Sequence, residues 1–152
     1  MGIAPQEICE ALPGTVLPGM RSKITRLNDA VYINDAYNAN PASMAAALDY
    51  LAESVQKQHL VLLLGAMLEL GGSSDSEHEK LLASALERFP DADIFTFGEP
   101  FASASAGAGV RFFREPAEAK AAVAAVTFPG SIVFAKGSRG IGVENALPDG
   151  AK

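Results

Sequence analysis

A carboxylate, a phenol and two amides follow one short apolar segment of the chain. The segment is residues 31–33, and the polar side chains belong to Asp35, Tyr37, Asn38 and Asn40. In open α/β sheets, ligands bind beyond the carboxyl ends of the strands, where the next helix presents unpaired N–H groups. A carboxylate in this place can accept two hydrogen bonds from a ribose diol. The pattern predicts a ligand-binding edge with Asp35 on the ribose, and the alternative is that Asp35 caps the loop or the following helix.

A second polar group follows another apolar segment near the end of the chain. Lys136 and Ser138 come directly after residues 132–135, with glycines beside them. A lysine, a hydroxyl and a glycine at a strand end are suited to holding a carboxylate or a phosphate. The alternative is a lysine that is solvated at the surface. Residues 137–142 match neither a dinucleotide-binding loop nor a Gly-Lys-Ser/Thr phosphate loop, so we expect no self-contained phosphate site.

Glu69 and His78 are further candidates, and each has a simpler interpretation. Glu69 lies beyond the apolar residues 60–64, where it would orient a substrate amine or be a solvated loop acid. His78 falls in the first turn of a predicted helix, and a packed or capping histidine is favoured there over a catalytic base. His59 is isolated, and no spacing resembles a zinc site or a Ser-His-Asp triad. We therefore predict no metal ligands and no catalytic residue in this chain.

Composition and charge restrict the class of protein. The chain has 152 residues, of which 49% are apolar and 20% charged, and this is typical of one globular domain. Its formal net charge of −6 argues against nucleic acid as a partner. The one cysteine, Cys9, excludes an internal disulfide and is interpreted as a buried thiol. No apolar segment is long enough to span a membrane and no signal peptide is evident, so we expect a cytoplasmic location.

The order of the predicted elements indicates an α/β fold. A small hairpin comes first, with Asn28 and Asp29 as its turn. Strands and helices alternate after it, which is typical of a Rossmann-like, mostly parallel sheet with helices on both faces. The predicted strands are residues 23–27, 30–33, 60–64, 94–97, 110–113 and 132–135, and the predicted helices are residues 5–12, 41–56, 74–89 and 115–126.

Local signals mark the ends of several of these elements. Asn40 followed by Pro41 predicts a helix start, and Ser74 with Glu77 has the spacing of a capping box. Residues 99–108 are small and predict a weak helix or a mobile loop. We expect a linker over residues 1–20, a domain over residues 21–147 and a disordered tail over residues 148–152.

With these residues considered together, the chain resembles the C-terminal domain of the Mur ligase family. The resemblance rests on four segments that follow the family's order along the chain. The Tyr-Asn-Ala-Asn-Pro run at residues 37–41 is the most specific of them, and it favours the members that add D-alanyl-D-alanine. The four segments are residues 19–22, residues 35–44, residues 65–71 with His78, and residues 136–139 with Glu144.

The resemblance implies an ATP-dependent ligase of peptidoglycan synthesis, and so a role in cell wall biogenesis, cell shape and cell division. Family members have a first domain for the UDP-sugar and a central domain with the P-loop and the Mg²⁺ ligands. Their third domain closes over ATP and the incoming amino acid or dipeptide. The implied partners are ATP, UDP-N-acetylmuramoyl-tripeptide, D-alanyl-D-alanine and the other two domains, and this chain, as a fragment, is expected to be inactive alone. The implied ATP contacts are Arg21, Asp35, Tyr37, Asn38 and Asn40, and the implied substrate contacts are Lys136, Ser138, Glu69 and His78.

Two alternatives to this interpretation stay open. One is a free-standing Rossmann-like module that binds a nucleotide or a peptide without turnover. The other is the domain of a sister Mur ligase or of a folylpolyglutamate synthase, which shares the fold but carries different residues in the 37–41 run. An upstream reading frame with a Gly-Lys-Thr/Ser loop distinguishes a ligase from a module. In the ligase we expect Asp35 in an open loop, so that its substitution changes protein stability little.

Overall fold

The described part of the chain forms one mixed sheet with helices on both faces. The computed structural model describes residues 22–55 and 57–152, so the predicted linker over residues 1–20, the predicted helix over residues 5–12 and Arg21 lie outside it. The strands are β1 (Lys23–Leu27), β2 (Ala30–Asp35), β3 (Leu60–Gly65), β4 (Asp93–Phe97), β5 (Arg111–Phe113) and β6 (Ile132–Lys136). The helices are α1 (Pro41–Ser54), α2 (Ser74–Arg88), α3 (Ala102–Ser105) and α4 (Lys120–Val126).

The strand order places the last strand in the middle of the sheet. The order is β1-β2-β6-β3-β4-β5, in which β1 pairs antiparallel with β2 and every other pair is parallel. The predicted fold class is therefore confirmed, and the small hairpin supplies the edge of the same sheet. Because β6 lies between β2 and β3, the carboxyl ends of these three strands are neighbours. The chain continues from β2 and β3 into helices on one face of the sheet, and from β6 into a 3₁₀ turn on the other face. Open α/β sheets bind ligands at the carboxyl ends of strands whose connections diverge in this way.

The strands are apolar on both faces because both faces are covered. Successive side chains of a strand point to opposite faces, and in β3 all six residues are buried. One face packs against α1, α2 and the segment around α3. The other packs against α4 and a 3₁₀ turn, Val143–Ala146. The continuous apolar runs that predicted covered strands thus reflect two separate cores.

The hairpin and the start of α1 follow the predicted local chemistry. Asn28 and Asp29 both have positive φ, 52° and 60°, as a two-residue turn with the twist of the strands requires. Asn40 caps α1: its side chain accepts a hydrogen bond from the Ser43 N–H at 2.8 Å, and the Ser43 hydroxyl accepts one from the Asn40 N–H at 3.1 Å. Pro41 opens the helix. Both predictions are confirmed, because they depend on residues that are adjacent in sequence.

The predicted capping box at Ser74 and Glu77 is wrong. Ser74 is the first residue of α2, and the preceding Ser73 makes no capping hydrogen bond with its side chain. The Ser74 carbonyl instead accepts a hydrogen bond from the His78 ring. The start of α2 is stabilised electrostatically by Asp75 and Glu77 in its first turn, next to the positive end of the helix dipole.

The small-residue segment at residues 99–108 contains an ordered short helix. A 3₁₀ turn, Glu99–Phe101, leads directly into α3, and the Phe101 ring is fully buried. Further along, residues 115–126 divide into a 3₁₀ turn, Pro116–Ala119, and α4. No helix in the described part of the chain is long and apolar enough to cross a membrane.

The prediction of a disordered tail is wrong. Residues 149–151 form a 3₁₀ turn, and Ala151 is buried in the same core as Val123 of α4. The exposed carboxylate of Asp149 forms ion pairs with the ammonium groups of Lys120 and Lys152. The Lys152 carbonyl in turn accepts a hydrogen bond from Lys23 on β1. Burial of one methyl group and this charge pattern hold a segment whose composition alone favours disorder.

Two glycines allow β3 and β6 to approach each other at their carboxyl ends. A Cβ atom on Gly137 would lie 2.7 Å from the Cα of Gly65 and 2.7 Å from Val143 Cγ2. A Cβ atom on Gly65 would lie 2.2 Å from the same Val143 atom. Contacts this short require the backbone to move. The glycines therefore let the 3₁₀ turn with Val143 pack directly over the two strand ends.

We expect Gly137→Ala to lower the free energy of unfolding by about 1–3 kcal/mol, the usual cost of overpacking a tight interior. Gly72→Ala is the matched control, since nothing lies within 4 Å of a Cβ atom there. That control should change stability by less than about 0.5 kcal/mol. Urea denaturation of the three proteins tests this, and equal midpoints for Gly137→Ala and the unsubstituted chain would contradict the close approach.

Candidate functional site

A buried ion pair joins the ends of β2 and β6. Asp35 and Lys136 are register partners on these neighbouring strands. The Lys136 Nζ lies 2.6 Å from Asp35 Oδ2, and both side chains are only 3% exposed. Lys136 Nζ also donates to the Asn38 carbonyl at 3.0 Å. The structure brings together two residues that sequence analysis assigned to different ligands, and it excludes the interpretation of Lys136 as a solvated surface lysine.

The position of Asp35 corrects the expectation that its substitution changes stability little. Asp35 is the last residue of β2 rather than part of an open loop, and it is buried. Removing two charges from water is costly, and the attraction between them offsets that cost only if both partners are present. The pair is therefore a strong constraint on the local geometry: either residue alone would be an uncompensated buried charge.

Ser138 connects three loops that follow the strands. Its hydroxyl accepts a hydrogen bond from the Leu68 N–H at 3.0 Å and is 3.5 Å from the Ala39 carbonyl, to which it donates. Its own N–H donates to the Ala66 carbonyl at 3.1 Å. Ser138 is 7% exposed. In this conformation its polar atoms join the loops after β2, β3 and β6 rather than facing solvent.

His78 is fully buried and uses both ring nitrogens. Nε2 accepts a hydrogen bond from the Met67 N–H at 2.9 Å, and Nδ1 donates to the Ser74 carbonyl at 2.7 Å. The ring also meets the edge of Phe101, with centroids 4.6 Å apart. Desolvation by burial lowers the pKa of His78, which agrees with a neutral ring. The geometry fits a packed histidine, the interpretation that the sequence favoured.

The side chains that face outward from this edge surround a shallow groove. Tyr37 is 50% exposed, and the Arg139 guanidinium carbon lies 5.8 Å from the centre of its ring, within the range of a cation–π contact. Glu144 has one carboxylate oxygen, Oε2, that is buried without a hydrogen-bond partner. The groove has a volume of about 290 Å³. It is lined by Lys23, Asn34, Ala36, Tyr37, Arg139 and Glu144.

The remaining predicted residues lie nearby but make different contacts. Asn38 is exposed, and its side-chain oxygen accepts from the Ala39 N–H at 2.8 Å. Asn40 is occupied as the cap of α1. Glu69 is exposed and has a positive φ of 66°, which is uncommon outside glycine. Among the described residues, no three histidine, cysteine, aspartate or glutamate side chains are grouped as a metal site.

Arg139 is a candidate that sequence reasoning did not single out. It directly follows Ser138, so its place beyond β6 was visible in the sequence. Its partner was not, because Tyr37 is about a hundred residues away along the chain and the contact depends on β2 and β6 being neighbours. The two residues form a cationic and aromatic surface beside the buried ion pair.

We expect Lys136→Met to lower the free energy of unfolding by about 3–5 kcal/mol, because it leaves Asp35 buried and unpaired. The double variant Lys136→Met with Asp35→Leu should be more stable than the sum of the single effects predicts. Lys80→Met removes the exposed pair with Glu77 and should change stability by less than about 1 kcal/mol. Chemical denaturation of Lys136→Met, Asp35→Leu, the double variant and Lys80→Met measures the coupling, and additive effects of the two site substitutions would show that the two charges act independently.

The stability of the domain should fall as the pH drops below about 6.5, the ordinary pKa of histidine. The pKa of His78 is lowered in the folded state, so the unfolded chain binds the extra proton first and is favoured by acid. The hydrogen bond to the Ser74 carbonyl and the charges of Asp75 and Glu77 oppose this shift only in part. We expect His78→Gln to have a flatter stability profile below about pH 6.5. Parallel thermal melts test this, and identical slopes would argue against a neutral buried His78.

Comparisons with known proteins agree with this geometry. The profile of the family described as "Mur ligase, glutamate ligase domain" matches residues 20–139. The UDP-N-acetylmuramoyl-tripeptide–D-alanyl-D-alanine ligase of Bacillus subtilis (strain 168) is 33% identical over 157 residues, covering 97% of this chain and 34% of that protein. A crystal structure of MurF from Acinetobacter baumannii superposes with a TM-score of 0.72 at 31% identity, covering 93% of this chain and 32% of that one.

A more distant structure shares the fold. The MurF ligase from Thermotoga maritima, solved in complex with ADP, has a TM-score of 0.64 and 23% identity, covering 82% of this chain and 28% of that one. The chain therefore spans about a third of the length of the relatives described here. The matched profile, the similar sequences and the strand order lead to one conclusion: this chain belongs to the Mur ligase family and corresponds to the family's glutamate ligase domain.

Proposed function

We propose that this chain is the C-terminal, closing domain of a cytoplasmic ligase that joins D-alanyl-D-alanine to UDP-N-acetylmuramoyl-tripeptide with the use of ATP. The observation that carries the proposal is the buried pair of Asp35 and Lys136, which aligns the β2 and β6 loops at the ligand-binding edge of the sheet. A relative with that ligase name matches 97% of the chain. The domain alone is inactive in this proposal, because the activating groups belong to the central domain.

The reaction assigned to the whole enzyme has two steps. ATP phosphorylates the terminal carboxylate of the tripeptide, and the amine of the dipeptide then attacks the acyl phosphate, releasing phosphate as the amide forms. The central domain supplies the P-loop and the Mg²⁺ ligands. This domain contributes the orientation of the amine and the exclusion of water when it closes over the reactants.

The geometry divides the predicted site residues into two groups with different roles. Tyr37, Asn38 and Glu69 are exposed at the edge and are proposed to meet ligands directly, Tyr37 and Asn38 near the nucleotide and Glu69 at the dipeptide amine. Arg21 and Asn40 are also proposed to contact ATP, Asn40 from its position as the cap of α1. Lys136, Ser138 and His78 are buried, and they are proposed to act through the loops that they connect.

Asp35 is proposed to have both roles: it contacts the ligand directly and it also helps to hold the loops in place. One of its oxygens pairs with Lys136, which leaves the second, Oδ1, as the atom proposed to accept a hydrogen bond from the ribose.

The proposed domain extends from residue 21 to residue 147, and the turn at residues 149–151 packs against it. The Thermotoga maritima protein of the same fold was solved in complex with ADP, and a nucleotide at the β2 and β6 edge of this chain is part of the proposal.

In the full-length enzyme, Asp35→Asn should raise the apparent KM for ATP about 10- to 150-fold, the effect of losing a charge-assisted hydrogen bond. The KM for D-alanyl-D-alanine should change less. Asp93→Asn is the matched control: it breaks the pairs with His59 and Arg111 at the opposite end of the sheet and should leave both KM values unchanged.

Steady-state kinetics at a temperature well below the melting point of each variant make this comparison. A larger change in the dipeptide KM would move Asp35 to the acceptor pocket. Unchanged KM values with a lower melting point would assign Asp35 a purely structural role. The sequence of the full reading frame separates the ligase from the free-standing binding module. A reading frame without an upstream Gly-Lys-Thr/Ser loop would indicate the module.

A further inference from the structure

Three consecutive amides after β3 are each held by a different part of the fold. The Ala66 N–H donates to the Phe97 carbonyl at 2.9 Å, which continues the pairing with β4. The next two donate to side chains: Met67 to His78 Nε2 at 2.9 Å and Leu68 to Ser138 Oγ at 3.0 Å. The chain therefore leaves the sheet in a direction set by two side-chain acceptors rather than by a strand partner.

We propose that His78 is a positioning residue: as a neutral imidazole it fixes the turn at residues 66–69 and so presents Leu68 and Glu69 at the ligand-binding edge. Its Nε2 receives the Met67 amide while its Nδ1–H is anchored on the Ser74 carbonyl. What these two loop residues contact rests on the proposed function, whereas the positioning itself rests only on the geometry.

A neutral imidazole suits this task because it is a rigid ring with one acceptor and one donor on opposite sides. The Met67 N–H is a donor, so Nε2 must carry no proton, and the Ser74 carbonyl is an acceptor, so Nδ1 must carry one. The contact with the Phe101 edge fixes the plane of the ring. Protonation of Nε2 would place two donors against each other at Met67 and break the connection.

The turn needs such an anchor because it contains an unfavourable backbone conformation. Glu69 has a φ of 66°, and a non-glycine residue keeps such a backbone conformation only where the surrounding structure enforces it. Leu68 is 41% exposed despite being apolar. The Met67 and Leu68 amides donate their hydrogen bonds directly before Glu69 in the chain. These bonds constrain the backbone that carries the exposed leucine and the strained glutamate.

Two variants of His78 separate positioning from packing. In His78→Gln the side-chain oxygen occupies the place of Nε2 and can still accept from Met67. In His78→Asn the shorter amide occupies the place of Nδ1 and can serve only Ser74. We expect hydrogen exchange of the Met67 amide in the ¹⁵N-labelled chain to accelerate at least about tenfold in His78→Asn and less than about threefold in His78→Gln. Ser138→Ala is the control and should accelerate Leu68 more than Met67.

The ring itself gives a reading that does not depend on any variant folding. The ¹⁵N chemical shifts of the His78 ring in the unsubstituted chain at neutral pH should show a protonated Nδ1 and an unprotonated Nε2. The opposite tautomer, a charged ring, or equal acceleration of Met67 exchange in the Gln and Asn variants would overturn the proposal.

Kinetics of the full-length enzyme then test what the turn presents. We expect His78→Asn to raise the KM for D-alanyl-D-alanine more than the KM for ATP, with His78→Gln restoring most of the difference. If the NMR results hold while neither KM changes, the positioning stands and the proposed use of Glu69 at the dipeptide fails. If the His78 tautomer or the Met67 exchange rates differ from those expected, the positioning is wrong, whatever the KM values of the enzyme are.

Discussion

The ion pair between Asp35 and Lys136 is the interaction on which the carboxyl edge of the sheet depends, the edge where the proposed function places the ligands. It joins the last residues of two strands that are 101 positions apart in the chain. Because both side chains are almost fully buried, neither charge is stabilised by water, and each is tolerated only next to the other. The pair thus ties the correct insertion of β6 between β2 and β3 to the electrostatic stability of the site.

The polar groups around this pair form an internal framework rather than a binding surface. Ser138 and His78 use their polar atoms on neighbouring loops, and the resulting hydrogen bonds hold the chain where it leaves the sheet. The side chains that face outward at this edge are others, such as Tyr37, Arg139 and Glu69, and the proposed function assigns direct ligand contacts to Tyr37 and Glu69 together with Oδ1 of Asp35. This arrangement is the usual one for a precise site: the residues that touch the ligand are held by residues that do not.

Such a framework is suited to a domain that acts by closing. A closing domain must present its contacts in a fixed geometry when it meets the reactants, since small displacements are costly for the reaction. The glycines at the ends of β3 and β6 serve the same purpose, because they allow the Val143 turn to seat directly on the strand ends. Rigidity at this edge and motion of the whole domain are therefore compatible.

The sequence by itself determined the elements whose causes are local. The continuous apolar run at residues 60–64 predicted a covered strand, Asn28 and Asp29 predicted the hairpin turn, and Asn40 predicted the start of α1. Each depends on residues within a few positions of one another, so propensity and short-range hydrogen bonding are sufficient. The polar residues beyond the strands also predicted a ligand at this edge of the sheet, and that prediction stays a proposal.

Only the tertiary structure decided which of those polar residues are buried and which other residues of the chain they contact. The ion pair of Asp35, the connections of Ser138 and the partner of Arg139 all follow from the place of β6 in the sheet, which local patterns do not encode. The order of residues 148–152 likewise depends on the burial of Ala151 against a distant core. Burial and charge pairing are properties of neighbours in space, and the chain brings those neighbours together only when the sheet is assembled.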